Sequence, residues 1–300
     1  MIEIFYSDHY IFPLPEGHRF PAEKYSLIRQ GLISNNILLT EQLKPANKIS
    51  KKDLYLAHDP QYVDGFIKGT LEPKKLKKIG ITWSPQYVER VLASVGGCFQ
   101  ACSSSLKVGF SGLLAGGTHH AGFDEGEGFC AFNDFAICCL KLLQSNIVKN
   151  ILIIDLDVHQ GNGNASLLKN NPSVTIFCLH SRKNYPFRKV QTPYSISLEE
   201  NTNDEDYLDC LSKGLNSLKD KSFDLILYQA GVDVLKEDSL GNLSLTMNGV
   251  MERDRIVFSF SKDKNIPLAL VLGGGYSKPI SSTVKAHINT YIVAKEVFKF

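Results

Sequence analysis

The densest group of metal-capable side chains lies in Ile151-Leu-Ile-Ile-Asp-Leu-Asp-Val-His159, where an apolar run acquires Asp155, Asp157 and His159 at alternate positions. Alternate residues of an extended chain share a face, so the spacing places all three on one side of a strand end. An imidazole together with carboxylates suits zinc, and a catalytic zinc keeps three protein ligands and one open position for water. Asp233 ends a comparable stretch, Leu225 to Tyr228 followed by Gln229-Ala-Gly-Val-Asp233. Alone it would read as a turn or helix-cap residue, but beside the first cluster it is a further candidate ligand. His119 and His120 stand together in Gly116-Gly-Thr-His-His-Ala121. Imidazole titrates near neutrality, so one ring of such a pair can take a proton from water and another can return it to a leaving group. Gly273-Gly-Gly-Tyr276 follows the last apolar run. Its glycines allow close backbone approach, and the Tyr276 hydroxyl can stabilise an oxyanion. The chemistry indicated is metal-assisted hydrolysis.

These residues need a frame that brings several strand ends together. Short apolar runs bounded by turn residues read as strands buried on both faces: Gly112 to Ala115, Asn150 to Ile154, Ser173 to Cys178, Asp224 to Tyr228 and Pro267 to Leu272. Between them, helical stretches run over Ser84 to Ser105, Asn133 to Gln144, Asp204 to Lys219 and Asn248 to Lys262. The alternation predicts an α/β fold with a mainly parallel sheet. Such sheets bind ligands beyond the carboxyl ends of their strands, where every candidate residue falls. Residues 1 to 83 are less regular. Tyr25 to Leu32 and Asp59 to Lys68 look helical there, and the intervening loops are expected to border the site. No linker or repeat divides the chain, which predicts one domain over residues 1 to 300.

Composition narrows the function classes. A 300-residue chain with 43% hydrophobic and 21% charged residues can bury a core and is not disordered. The net charge of +2 supplies no field for nucleic acid or an anionic membrane, so neither is an expected partner. Lys74, Lys75, Lys77 and Lys78 form the one dense basic run and are expected on a solvated loop. Seven cysteines without a Cys-x-x-Cys pair fit reduced thiols. Cys98 and Cys102 are expected to be buried small hydrophobes without chemistry. The N-terminus lacks the pattern of a signal peptide, and no apolar stretch is long enough to span a bilayer. A cytoplasmic location is therefore expected, and the oligomeric state is left open.

Taken together, Gly116-Gly-Thr-His-His-Ala121, Gly128-Phe-Cys-Ala-Phe-Asn-Asp134, Asp155-Leu-Asp-Val-His-Gln-Gly-Asn-Gly163, Gln229-Ala-Gly-Val-Asp233 and Gly273-Gly-Gly-Tyr276 resemble the histone deacetylase family. That family includes bacterial acetylpolyamine and acetoin-utilisation amidohydrolases and shares its fold with arginases. The resemblance implies a three-layer α/β/α fold and a zinc-dependent amidohydrolase that removes an acyl group, acetyl or longer, from a lysine side chain of a protein or peptide. Acetylated polyamines and related small acylated amines are the alternative substrates. A binuclear arginase-like hydrolase fits the adjacent histidines less well, and an inactive binding module would be expected to have lost part of this set. By resemblance, Asp157, His159 and Asp233 are the ligands of one zinc, for which ferrous iron could substitute. His119 and His120 handle protons, Tyr276 donates to the oxyanion, Asp155 orients His119 and Asn162 orients His120. Gly128 and Phe129 line the substrate channel, and main-chain carbonyls near Asp155, Asp157 and His159 hold a potassium ion. Asn162 departs from class I members, which carry Asp, and looks closest to the class IV and related bacterial branch. No counterpart is found for the acidic rim residue with which class I enzymes grip a peptide.

Overall fold

The computed structural model describes residues 1 to 300 and is built around one eight-stranded sheet. Its strands are β1 (Ile4–Tyr6), β2 (Leu43–Pro45), β3 (Phe110–Leu113), β4 (Ile151–Asp155), β5 (Val174–Ser181), β6 (Tyr194–Leu198), β7 (Leu225–Gln229) and β8 (Leu268–Val271). They lie in the order β2-β1-β3-β8-β7-β4-β5-β6. Every pairing is parallel, so the sheet is wholly rather than mainly parallel.

The central strands β3, β4, β7 and β8 are buried at every position and mostly apolar because helices cover both faces. One layer contains α5 (Pro85–Val108), α6 (Asp134–Gln144) and α7 (Asn162–Leu168), and the other α1 (Glu23–Ser34), α8 (Asp204–Asn216), α9 (Met247–Asp263) and α10 (Ile280–Phe298). The three layers bury one continuous apolar cluster of 78 residues. Helix starts follow local chemistry. Ser84, Asn133, Asn203 and Thr246 each accept a backbone N–H of the first turn of α5, α6, α8 and α9.

Register brings the strand ends into line. Leu113, Val271, Gln229, Asp155 and Cys178 form one row across β3, β8, β7, β4 and β5. Beyond that row, the chain leaves β4 toward β5 and leaves β7 toward β8, in opposite directions. A crevice therefore opens between the ends of β4 and β7, the position where open parallel sheets bind ligands.

Several sequence expectations need correction. Strand alternation stops at Asp155: Asp157 and His159 lie past the carboxyl end of β4, where a ligand cluster is expected, but the turn rather than the pleat of a strand places them together. β1, β2 and β6 were not expected: the first two have three residues each, and β6 is a half-exposed edge strand with serines between its apolar positions. Nor was α10, rich in β-branched residues of modest helix propensity. Its packing against α1 and α9 overrides that preference. The lysine run lies on a short helix, α4 (Pro73–Ile79), after α2 (Lys51–Leu54) and α3 (Pro60–Lys68), rather than on a loop.

Candidate active site

The turns after β4 and β7 are tied together directly, because the Val158 N–H donates to Asp233 Oδ1 at 2.9 Å. That bond brings Asp157, His159 and Asp233 together with their ligating atoms within 4.8 Å of one another, all three buried. His159 Nδ1 lies 3.0 Å from Asp157 Oδ1 and 3.2 Å from Asp233 Oδ2. Asp157 Oδ2 accepts the Gly274 N–H at 2.7 Å. A Cβ at Gly274 would collide with Asp233 Oδ2, so the glycine after β8 is what lets this loop close over the carboxylates.

The three residues fit a divalent cation. Asp233 Oδ2 is buried without a hydrogen-bond partner, an expensive condition for a carboxylate oxygen. Burial and the neighbouring Asp157 charge push Asp233 up to about 7. Burial disfavours the charged form of His159, yet its hydrogen bond to Asp157 and the Asp233 carboxylate beside it push it up to about 10. Two carboxylates that need a proton to share their pocket provide the donor set a metal would satisfy.

Arg253 of α9 supports this floor from below. Fully buried, it donates to the carbonyls of Leu156 and Gly231, one in each ligand-bearing turn. Asp254 neutralises it at 2.8 Å and accepts hydroxyls from Tyr228 and Thr290.

The loop after β3 is clamped at the start of α6, where Asp134 accepts the N–H groups of Gly117 at 2.7 Å and Thr118 at 3.0 Å. His119 and His120 follow, with their Nε2 atoms 3.1 Å apart. His119 Nδ1 bonds Asp155 Oδ2 at 2.8 Å, and His120 Nδ1 bonds Asn162 Oδ1 at 2.7 Å. The partners drive the pair apart. Burial opposes charge on His119, but Asp155 and Asp157 raise its pKa overall. Burial and the charges of His119 and His159 hold His120 well below the ordinary imidazole value.

An outer cavity lined by His120, Gly128, Phe129, His159, Tyr185 and Tyr276 leads inward to the metal-capable cluster. A Cβ at Gly128 would lie 2.7 Å from His120 Cδ2, and its φ is +56°, so glycine is required on both counts. A second, inner cavity shares His120, Gly128, Phe129, His159 and Tyr276 with the outer one, reaches Asp157, and is walled by apolar side chains such as Phe12, Phe20, Tyr87 and Val95, with Arg90 among them. Tyr276 lines both cavities. Its backbone is held by Asp238 and Ser239.

All ten sequence-derived candidates thus gather at one crevice. Others had no sequence signal. Lys24 of α1 is buried and donates to the carbonyls of Gly273 at 3.1 Å and Gly275 at 3.4 Å, with burial lowering its pKa to about 8. The irregular N-terminal region therefore borders the site as expected, but a lysine within an amphipathic helix ordinarily reads as surface. Tyr185 arrives from the loop after β5 and packs edge-on against His120, ring centroids 4.9 Å apart. Glu127 accepts from Asn162 Nδ2 at 2.5 Å and pairs with Lys78 at 3.1 Å. Cys98, Cys102 and Cys138 also cluster, wholly within the apolar core between α5 and α6.

Residues 18 to 291 match the family model of the histone deacetylase domain. An uncharacterized protein of Picosynechococcus sp. is 37% identical over 98% of this chain and 99% of its own length. Histone deacetylase 2 of Arabidopsis thaliana is 28% identical over 92% of this chain and 75% of its own. An HDAC homolog from Aquifex aeolicus has a similar fold, with a TM-score of 0.84 at 22% identity, over 99% of this chain and 88% of that one. With the model spanning nearly the whole sheet and every strand end of the crevice, the chain belongs to the histone deacetylase family and is a hydrolase of the deacetylase type.

Proposed function

We propose that this chain acts as one catalytic domain that hydrolyses the amide of an acylated lysine side chain, with zinc held by Asp157, His159 and Asp233. The observation that carries this reading is the convergence of that donor set, with its unpartnered Asp233 oxygen, and the His119 and His120 pair at one cavity. When bound there, zinc supplies Lewis-acid polarisation of the acyl carbonyl and activation of water. Ferrous iron accepts the same ligands.

The remaining chemistry belongs to the chain. His120, kept neutral, takes the proton of the attacking water at Nε2. Tyr276 lines the junction of the two cavities, and its hydroxyl donates to the oxyanion as it forms. His119, held on Asp155, keeps a proton available for the departing amine. Gly128, Phe129 and Tyr185 exclude water around the linear side chain, and the inner apolar cavity accommodates an acyl group of acetyl size or longer. Ser181 Oγ, buried without a partner next to the turn of Asp157 and His159, is consistent with a potassium ion on the nearby carbonyls.

Turnover of acetyl-lysine peptides, longer acyl-lysine peptides and acetylated polyamines by one preparation, with metal content measured, tests the reading. Peptide hydrolysis lost in chelator and restored by zinc supports it, whereas turnover confined to polyamines selects the small acylated amine instead. Full activity in metal-stripped protein rules the mechanism out. Tyr276→Phe should lower kcat on the order of 10²-fold with little change in substrate binding; loss of affinity alone would make Tyr276 a binding residue. No helix is long and apolar enough to cross a membrane, and a cytoplasmic setting suits the reduced cysteines.

A further inference from the structure

We infer that Glu127 is a positioning residue: by holding the Asn162 amide in one orientation, it fixes His120 as its Nδ1–H tautomer and leaves Nε2 unprotonated, the form in which it acts as base. The inference rests on the deacylase reading above and concerns a residue that neither touches the metal-capable cluster nor takes part in bond making.

His120 and Asn162 alone do not decide where the imidazole proton sits. An amide can offer its carbonyl to an Nδ1–H, or its NH₂ to an unprotonated Nδ1, with nearly the same geometry. The second arrangement puts the ring proton on Nε2, the atom facing His119 and the cavity, and abolishes the base. A neutral imidazole left to itself favours that Nε2–H form. A carboxylate in contact with His120 would settle the matter, since it can only accept. Here the carboxylate stands one residue further out. Glu127 Oε1 lies 2.5 Å from Asn162 Nδ2, so the amide must turn its donor end outward and its carbonyl toward His120 Nδ1, 2.7 Å away.

Glu127 is itself well held. Its other oxygen pairs with Lys78 at 3.1 Å, its carbonyl accepts the Cys130 N–H at 2.9 Å, and Tyr185 borders it while also packing on His120. The lysine run on α4 thus has a local use. Lys78 and Lys75 reach the segment 124 to 127, and the Phe129 N–H is bound to the Ile79 carbonyl at the helix end. An acceptor at the rim fixes the tautomer of an imidazole in the interior, as partners of a histidine commonly do.

The test uses zinc-loaded protein with ¹⁵N-labelled histidines, whose nitrogen shifts separate Nδ1–H from Nε2–H, alongside kinetics on an acetyl-lysine peptide. In wild type, His120 should be Nδ1–H. Glu127→Ala should bring up the Nε2–H form and lower kcat/KM on the order of tenfold, through kcat. Glu127→Gln preserves the packing but has a single acceptor to divide between Asn162 and Lys78. It should give a mixed tautomer, and it decides the matter if the alanine variant does not fold. The exchange Glu127→Gln with Asn162→Asp puts a carboxylate directly on His120. The introduced amide can then donate to that carboxylate while its own carbonyl stays available to Lys78. Tautomer and kcat should then recover. A residue that merely braced the loop would not be rescued in this way. The proposal is overturned if His120 stays Nδ1–H without Glu127, or if the exchange fails to restore that form. Absence of deacylation by the wild type would instead sink the functional reading, and the nitrogen spectra would still judge Glu127.

Discussion

The floor and the rim of this crevice are both rich in charge, yet they are held by different physics. On the floor, Asp157, Asp233 and Arg253 are fully or almost fully buried and bind backbone groups of the loops after β4, β7 and β8, and the buried Asp254 pairs with Arg253. At the rim, Lys78 and Glu125 keep side chains about two-fifths exposed, 41% and 44%. Charge withdrawn from water is expensive to leave unpaired, whereas exposed pairs are weakened by solvent and salt. The floor therefore behaves as part of the core, and the rim as an adjustable layer that acts through orientation.

Removing a floor ligand should break the comparison most visibly. Asp233→Ala leaves two ligands, too few for a tetrahedral catalytic site. Turnover should be abolished and metal content should fall; a variant that retained both would show that Asp233 is not a ligand. Arg253→Met comes next. It strands Asp254 in the core and frees the carbonyls of Leu156 and Gly231, a loss of about 3 to 5 kcal/mol when one member of a buried pair is removed. Denaturant unfolding measures it, and a loss near that of a surface substitution would mean that the floor does not depend on this cation.

Asn162→Asp sits between the two layers and should have a smaller, signed effect. Added negative charge beside His120 raises the pKa of that imidazole. Because the base works deprotonated, the acidic limb of the kcat/KM profile should move to higher pH with metal content unchanged. The histidines titrate together, so only the apparent values are comparable. A limb that stayed in place or moved to lower pH would separate Asn162 from the base. The smallest effect is expected of Lys78→Ala. Its pairs are partly exposed and worth at most about 1 kcal/mol. kcat/KM should drop by no more than about fivefold, and by less in high salt. A loss as large as that of a floor residue would erase the distinction between the layers.

The parts legible in advance share a physical reason. A strand buried on both faces is built mostly of apolar residues, so β3, β4, β5, β7 and β8 stand out as runs, and the polar residues at and just past their ends are conspicuous by contrast. The three-residue β1 and β2 and the half-polar edge β6 produce no such contrast. In α10, burial through neighbours prevails over modest local preference.

By itself the sequence determined the chemistry that could be present: the two aspartates and the histidine of the cluster, the histidine pair with Asp155 and Asn162, Tyr276, and an α/β frame whose strand ends could gather them. Only the tertiary structure decided which further side chains serve that set. Lys24, Glu127, Tyr185 and Arg253 lie on separate segments, in residue types that usually face water or fill space. Their roles follow from burial and from partners distant along the chain, which no local pattern encodes.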